Sequence, residues 1–227
     1  MSDEHVIDTV RRMAEALEPG DLDETLQRIT SSAVRVLPDV EHASITVLHE
    51  DGSIDSSAET SELVTEVDAK QYELQEGPCF EAATEMSHVV STNLAADERF
   101  PRYGKVAVEA GLRSQAGIRL FDSTKARGAL NLYSSKVGAF EDLSMLNQLF
   151  VSQAAVALAY AIEVGDLRRA MRTRETIGKA VGIVMERYKL SDDRAFAFLA
   201  RVSQNRNVKL NQVAEEVIAA NESGTGM

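Results

Sequence analysis

The feature that most limits what this chain can fold into is a change of period at Glu141. Before it, apolar residues alternate with polar ones in short runs bounded by turn residues. After it, residues 141–175 (EDLSMLNQLFVSQAAVALAYAIEVGDLRRAMRTRE) carry apolar side chains at alternating spacings of three and four. A period of two describes strands with one buried face, and a period near 3.5 describes a long helix with one apolar seam. The fold expected is therefore α+β in the first part and all-α in the last. A chain of 227 residues, 44% hydrophobic, suits one large or two small domains with packed cores.

The seam of the long helix is Leu143, Leu146, Phe150, Gln153, Ala157, Tyr160, Val164, Leu167 and Met171. Such a register belongs to a parallel coiled coil and predicts a homodimer through this connecting helix. The alternative is that the first half, with its small residues AAVALA, packs on the preceding sheet and only the charged second half projects.

Upstream, Leu22, Leu26, Ile29, Ala33 and Val36 make one helical face, with Asp21 at the N-cap position after a Pro-Gly break. ASITVLHEDGSIDSSAE then reads as a hairpin, with Asp51-Gly52 supplying positive φ at a tight turn. SQAGIRLF and GALNLYS flank DSTKARG as a second hairpin, and SHVVSTN adds a fifth strand. Helical segments are expected around 62–75 and 103–110. The result is an antiparallel sheet with helices between its strands.

The net charge of −12 argues against nucleic acid until it is divided. From Arg168 onward there are 11 Lys and Arg against 7 Asp and Glu, a net of +4; before it, 13 stand against 29, a net of −16. Two regions of opposite character point to two domains with different partners. The mildly basic region is also compatible with an ordinary solvated surface.

The basic region holds three helical segments. ETIGKAVGIVMERYKL carries Gly178 and Gly182 one turn apart, although each costs a helix about 1 kcal/mol relative to alanine. With Ala180 they form a small-residue face that an RNA backbone or a neighbouring helix could approach closely. SDDRAFAFLARVSQ has Ser191 at the N-cap position and two aspartates in the first turn. KLNQVAEEVIAA lines up Leu210, Val213, Ala214, Val217 and Ile218.

The segment IGKAVGIVMERYKLSDDRAFAFLARVSQNRNVKLNQVAEEVI resembles the ANTAR domain, a three-helix RNA-binding module of bacterial transcription antiterminators. Ala180, Gly182, Met185, Ala195, Phe196, Leu199, Ser203, Lys209, Leu210, Val213 and Ala214 fit the family pattern. Val181 departs from it, standing where the family usually has Lys, with Lys179 two residues earlier; the departure bears on RNA affinity and loop preference. YELQEGPCFEA, STNLAADERFPRY, GLRSQAGIRLF and GALNLYS, with GAFEDLSMLNQLFVSQAAVALA, resemble a GAF sensor domain of the kind joined to ANTAR modules.

The expected organisation is an N-terminal extension over 1–20, a GAF domain over 21–162 and a connecting helix over 141–175. An ANTAR domain over 168–222 and a disordered tail over 223–227 complete it. The resemblance implies a regulator that binds paired stem-loops in nascent RNA as a dimer and prevents transcription termination, under a small-molecule or protein signal at the GAF domain. The RNA-binding candidates are Lys179, Gly182, Arg187, Arg201, Ser203, Asn207 and Lys209, which lie in or beside matched positions.

Two other functions stay open. A DNA-reading helix-turn-helix is disfavoured because NQVAEEVIAA lacks Arg and Lys and carries Glu215 and Glu216. A GAF-mediated interaction protein whose last helices only dimerise is the second. No enzyme is expected, since no Ser/His/Asp order, Walker loop, GxGxxG or HD-type cluster occurs. No cofactor is expected either, nor a metal, because a single cysteine and four scattered histidines give no zinc-ligand spacing. His42 and His49 fall on opposite faces of one strand. Cys79, just after Pro78 at a helix start, is the candidate redox sensor, through a thiolate favoured by the helix dipole; a buried, inert thiol is the alternative. Tyr103, Arg113 and Arg119 are candidate pocket residues, and Asp97 with Arg99 is expected to pin its own loop. The polar N-terminus and the lack of an uninterrupted apolar run of about 18 residues predict a cytoplasmic protein with no membrane contact.

Overall fold

The computed structural model describes residues 21–123, 126–141 and 145–223, and the side chains of 145–147 are not among those described. The expected N-terminal extension, most of the expected tail and the seam residues Leu143 and Leu146 lie outside this description. The chain divides into two compact units, Met1–Ile162 and Glu163–Met227.

The first unit opens with helix α1 (Leu22–Val36). Asp21 caps it, its carboxylate accepting the Glu24 N–H at 2.9 Å, and Leu26, Ile29 and Ala33 form the buried face. Leu37 leaves the helical region at ψ 134, as the Pro38 ring behind it requires. Strands β1 (His42–His49) and β2 (Ile54–Ser57) form the expected hairpin. Its turn differs from expectation, because only Gly52 has positive φ, +82°. Asp51 instead accepts the Ser53 N–H at 2.9 Å, so one glycine and an Asx bond close a longer turn.

Helix α2 (Glu62–Leu74), helix α3 (Pro78–Thr84), strand β3 (His88–Ser91) and helix α4 (Tyr103–Glu109) follow. Strands β4 (Ser114–Asp122) and β5 (Ala126–Ser134) complete an antiparallel sheet of order β2-β1-β5-β4-β3. Alternation along β5 divides the core. Leu130 and Leu132 face a cluster with α1, while Ala129 and Tyr133 face a cluster built on α2, α3 and α4. Gly117 on β4 lets α3 lie close, since a Cβ there would meet the Pro78 carbonyl oxygen at 2.6 Å.

The long helix α5 (Met145–Tyr188) runs 44 residues. Phe150, Ala154, Ala157, Leu158 and Ala161 are buried, the first four in the α1-side cluster. By length and composition this helix is apolar enough to cross a membrane, a test that a core helix also passes. The burial of those five residues assigns its first part to the core of the first unit.

The second unit joins the end of α5 to helices α6 (Asp192–Arg206) and α7 (Leu210–Glu222). Ala180, Val181, Val184, Ala195, Leu199, Val213, Ala214 and Val217 make a small, entirely aliphatic core. Val181 sits in that core, so the side chain at this position contributes packing.

Candidate functional site

In the second unit the sequence-derived RNA-binding candidates fall into three places. Lys179, Gly182 and Arg187 line a shallow cleft with Ile218, Asn221 and Glu222 of α7. Arg187 Nη2 donates to Asn221 Oδ1 at 3.2 Å, and Lys179 Nζ is 2.6 Å from Glu175 Oε1 one turn earlier. Gly178 and Gly182 are exposed, and a Cβ built on either meets nothing within 4 Å. Of the two occupants offered for this face, an RNA backbone or a neighbouring helix, no helix among the described residues packs on the glycines, and Ala180 lies in the core instead of beside them.

Ser203, Asn207 and Lys209 gather at the α6–α7 turn, where they shape the backbone. Ser203 Oγ donates to the Val208 carbonyl at 2.6 Å. Asn207 takes the left-handed conformation at φ 51° that ends α6, and the Lys209 N–H reaches Gln212 Oε1 at 3.3 Å. Lys209 precedes the first residue of α7 and Asn221 lies near its other end, so the two groups are separated by about 18 Å of helix at 1.5 Å per residue. Arg201 projects from the solvent side of α6.

In the first unit the α2–α4 side of the sheet carries a buried polar cluster at its centre. Asp68 on α2 is fully buried. Its Oδ2 accepts Ser44 Oγ at 2.6 Å and Ser56 Oγ at 2.7 Å; its Oδ1 accepts Gln71 Nε2 at 3.1 Å and the Tyr133 hydroxyl. No cation is among these partners. Burial pushes the Asp68 carboxyl up to about 6, against the pull of the hydroxyl donors. Gln71 Oε1 accepts the Cys79 N–H at 3.0 Å, Gln115 Nε2 reaches Cys79 Sγ at 2.6 Å, and the Tyr103 hydroxyl donates to Gln115 Oε1 at 2.6 Å. Sequence reasoning missed Asp68, Gln71, Gln115 and Tyr133. The available signal was Asp68 and Gln71 on the same helical face as the buried Val64 and Val67.

Several expectations change here. Cys79 is fully buried, and burial together with the Asp68 charge pushes its thiol well above the ordinary value. Burial therefore works against the thiolate expected from a helix start and favours the alternative of a buried thiol. Arg113 and Arg119 cap carbonyls instead of lining a pocket. Arg113 Nη1 donates to the Val108 and Leu112 oxygens at 2.9 Å, and Arg119 Nη2 to Ala82 O at 3.0 Å and Met86 O at 2.9 Å. Arg99 Nη2 joins Asp97 Oδ2 at 2.7 Å and Val90 O at 2.6 Å, pinning its loop. His42 and His49 lie at opposite ends of β1, bonded to Ser61 and Asp55. No group of three metal-binding side chains occurs among the described residues.

The expected seam of α5 divides in two: Phe150 and Ala157 of its first half pack in the core, as the alternative reading had it, while Tyr160, Leu167 and Met171 (72% exposed) of its second half face solvent. Leu149 and Val156 (66% exposed) face solvent as well. The exposed residues are spaced seven, four, seven and four.

A five-stranded antiparallel sheet between helical layers, followed by a long helix and a three-helix module, defines a sensor domain joined to a helical output. The GAF domain family matches residues 20–159 and the ANTAR domain family residues 165–218. The chain belongs to the GAF family and has a GAF–ANTAR architecture, that of RNA-binding antitermination regulators.

Solved structures share the fold. The N-acylhomoserine-lactone-dependent LuxR-family transcription factor CepR2 of Burkholderia cenocepacia is 11% identical, with a TM-score of 0.55 over 69% of this chain and 98% of that one. The free methionine-R-sulfoxide reductase of Neisseria meningitidis is 13% identical, with a TM-score of 0.54 over 74% and 95%. The GAF domain of a phosphoenolpyruvate-protein phosphotransferase from Coxiella burnetii is 14% identical, with a TM-score of 0.51 over 73% and 99%. No curated protein matches the chain.

Proposed function

We propose that this protein is a cytoplasmic, dimeric antiterminator that holds a pair of stem-loops in nascent RNA and so keeps a competing terminator hairpin from forming. The observation that carries this reading is the ANTAR match over 165–218, on a region whose Lys and Arg outnumber its carboxylates. An A-form duplex excludes side chains from its deep groove, so such a module recognises backbone shape and unpaired loop bases. Lys179, Arg187, Arg201 and Lys209 supply charge for phosphates, and Gly182 leaves room for a backbone to approach. Ser203 and Asn207 set the turn that presents Lys209.

The exposed stripe Val156, Tyr160, Leu167 and Met171 on α5 supports the dimeric reading. Seven plus four is an eleven-residue repeat, which suits a pair of helices with a slight right-handed supercoil. Two modules in one dimer then match two loops in one RNA. A signal taken up by the GAF domain acts by favouring one arrangement of the paired helices, which requires a ligand with different affinities for two states. No covalent chemistry is part of this function.

The test is stoichiometry. Sedimentation of the full chain with a two-stem-loop RNA is expected to give one dimer per RNA, with weaker binding to a single stem-loop. Equal binding to both RNAs by a monomer contradicts the paired-loop reading.

A further inference from the structure

The second unit leaves three aromatic rings outside its core, Tyr188, Phe196 and Phe198, and the first and last of these touch. Tyr188 is the last residue of α5, Lys189 follows in the left-handed conformation at φ 54°, and α6 begins at Asp192. This reversal brings Tyr188 against Phe198, with ring centroids 5.8 Å apart and planes at 42°. Burying a side chain of this size contributes about 1.5–3 kcal/mol, yet Tyr188 stays 48% exposed and Phe198 42% exposed beside a core made only of Ala, Val and Leu. The pair is a preformed apolar surface facing solvent.

Its charged surroundings identify the occupant. Arg194, Phe198 and Arg201 are spaced four and three, which places them within about 60° of one another on α6. Both arginines are exposed, and neither makes a hydrogen bond or ion pair among the described residues. On this unit Lys179, Lys189 and Arg206 are held by Glu175, Glu186 and Glu216, and of the basic residues without such an ion pair among the described residues, Arg194 and Arg201 are the two that flank Phe198 on α6. The other residues on this strip are Ser191 and Asn205, with no carboxylate between the two guanidiniums. Two uncompensated cations on either side of paired rings fit a ligand with a flat π-face flanked by anions, which is an unpaired nucleotide.

We infer that an unpaired RNA loop base stacks on the Tyr188–Phe198 pair while Arg194 and Arg201 engage the phosphates on either side of it. The inference rests on the RNA-binding reading above and names the element that reads the loop. Stacking is tolerant of base identity, so this surface supplies affinity for an open loop over a closed helix.

The chain has no tryptophan, so Phe198→Trp installs a single indole that keeps the π-face. The full-length protein is titrated with a two-stem-loop RNA and with a blunt RNA duplex of the same stem sequence. The indole is expected to be quenched by the looped RNA and not by the duplex. Phe198→Leu, which keeps an apolar side chain without a ring, is expected to weaken looped-RNA binding about tenfold with the salt slope unchanged. Arg194→Gln and Arg201→Gln are each expected to reduce that slope by about 0.7–0.9, one phosphate contact. An unquenched indole, or Phe198→Leu binding as wild type does, overturns the stacking inference while leaving RNA binding intact. A wild-type protein that binds neither RNA overturns both readings.

Discussion

Ser44 Oγ lies 2.6 Å from Asp68 Oδ2, tying the second residue after the β1 start to the middle of α2 through a fully buried carboxyl. Four neutral donors and no cation hold that carboxyl, which places its proton equilibrium within the range of ordinary buffers.

The first prediction is a pH dependence of stability. The Asp68 pKa is raised in the folded state from 3.8 to about 6, so well below 3.8 folded and unfolded chains are both protonated and the burial of charge costs nothing. As pH rises through 3.8 toward about 6 the unfolded chain ionises first, and folding stability falls. At about 1.36 kcal/mol per pK unit, wild type should lose roughly 2 kcal/mol relative to Asp68→Asn between pH 4 and 7. Urea denaturation of both proteins across this range measures the difference. A constant difference means that Asp68 does not titrate there.

Glycines on the two units should respond in opposite ways to alanine. Gly117→Ala drives a Cβ to 2.6 Å from the Pro78 oxygen and 2.8 Å from Ala82 Cβ, and should destabilise the chain by about 1–3 kcal/mol. Gly182→Ala meets nothing within 4 Å on a helical backbone and should stabilise by about 1 kcal/mol. Thermal melts of the two variants check the signs. If Gly182→Ala is more stable yet binds RNA more weakly, something outside the chain approaches that glycine.

The legibility of this chain followed where its patterns were local. The period-two runs around Ile45, Ile118 and Leu130 specified three central strands, and Asp21 marked the start of α1. The first half of the seam on α5 was ambiguous, because Phe150 and Val156 look equally apolar in sequence and the sheet beneath Phe150 decides which face is buried; Tyr160, Leu167 and Met171 of the same seam are exposed. Asp68 and Gln71 showed only through sharing a helical face with Val64 and Val67, and Gln115 not at all, for a different reason. Polar side chains on a helix or strand read as solvent-facing unless their partners, here Ser44, Cys79 and Tyr103 from distant segments, are already known. Ser203 matched a family pattern and Asn207 lay beside matched positions, but their hydrogen bonds show backbone work at the α6–α7 turn.

That turn yields a separate expectation. Ser203→Ala removes the bond to Val208 O and should cost about 1 kcal/mol, while Asn207→Gly, which adopts the left-handed conformation freely, should be tolerated. Chemical denaturation of both variants provides the comparison. A Ser203→Ala protein of unchanged stability that binds RNA poorly would reassign the hydroxyl to the RNA.

Charge on the exposed stripe of α5 should abolish self-association without unfolding the chain. Leu167→Glu and Met171→Glu replace side chains that are 59% and 72% exposed, so neither disturbs a core. Analytical ultracentrifugation should show a dimer for wild type and monomers for the variants. A dimer that persists in both places the interface elsewhere.

The central claim, that the basic module binds looped RNA through its phosphates and open bases, is tested most directly by the equilibrium constant for a two-stem-loop RNA across a salt series, beside a DNA duplex of equal length. The account predicts tighter binding to the RNA and an affinity that falls steeply with salt, with a log–log slope of about −0.7 to −0.9 per phosphate contact. Equal affinity for the DNA duplex, or an affinity for RNA that does not change with salt, would contradict it.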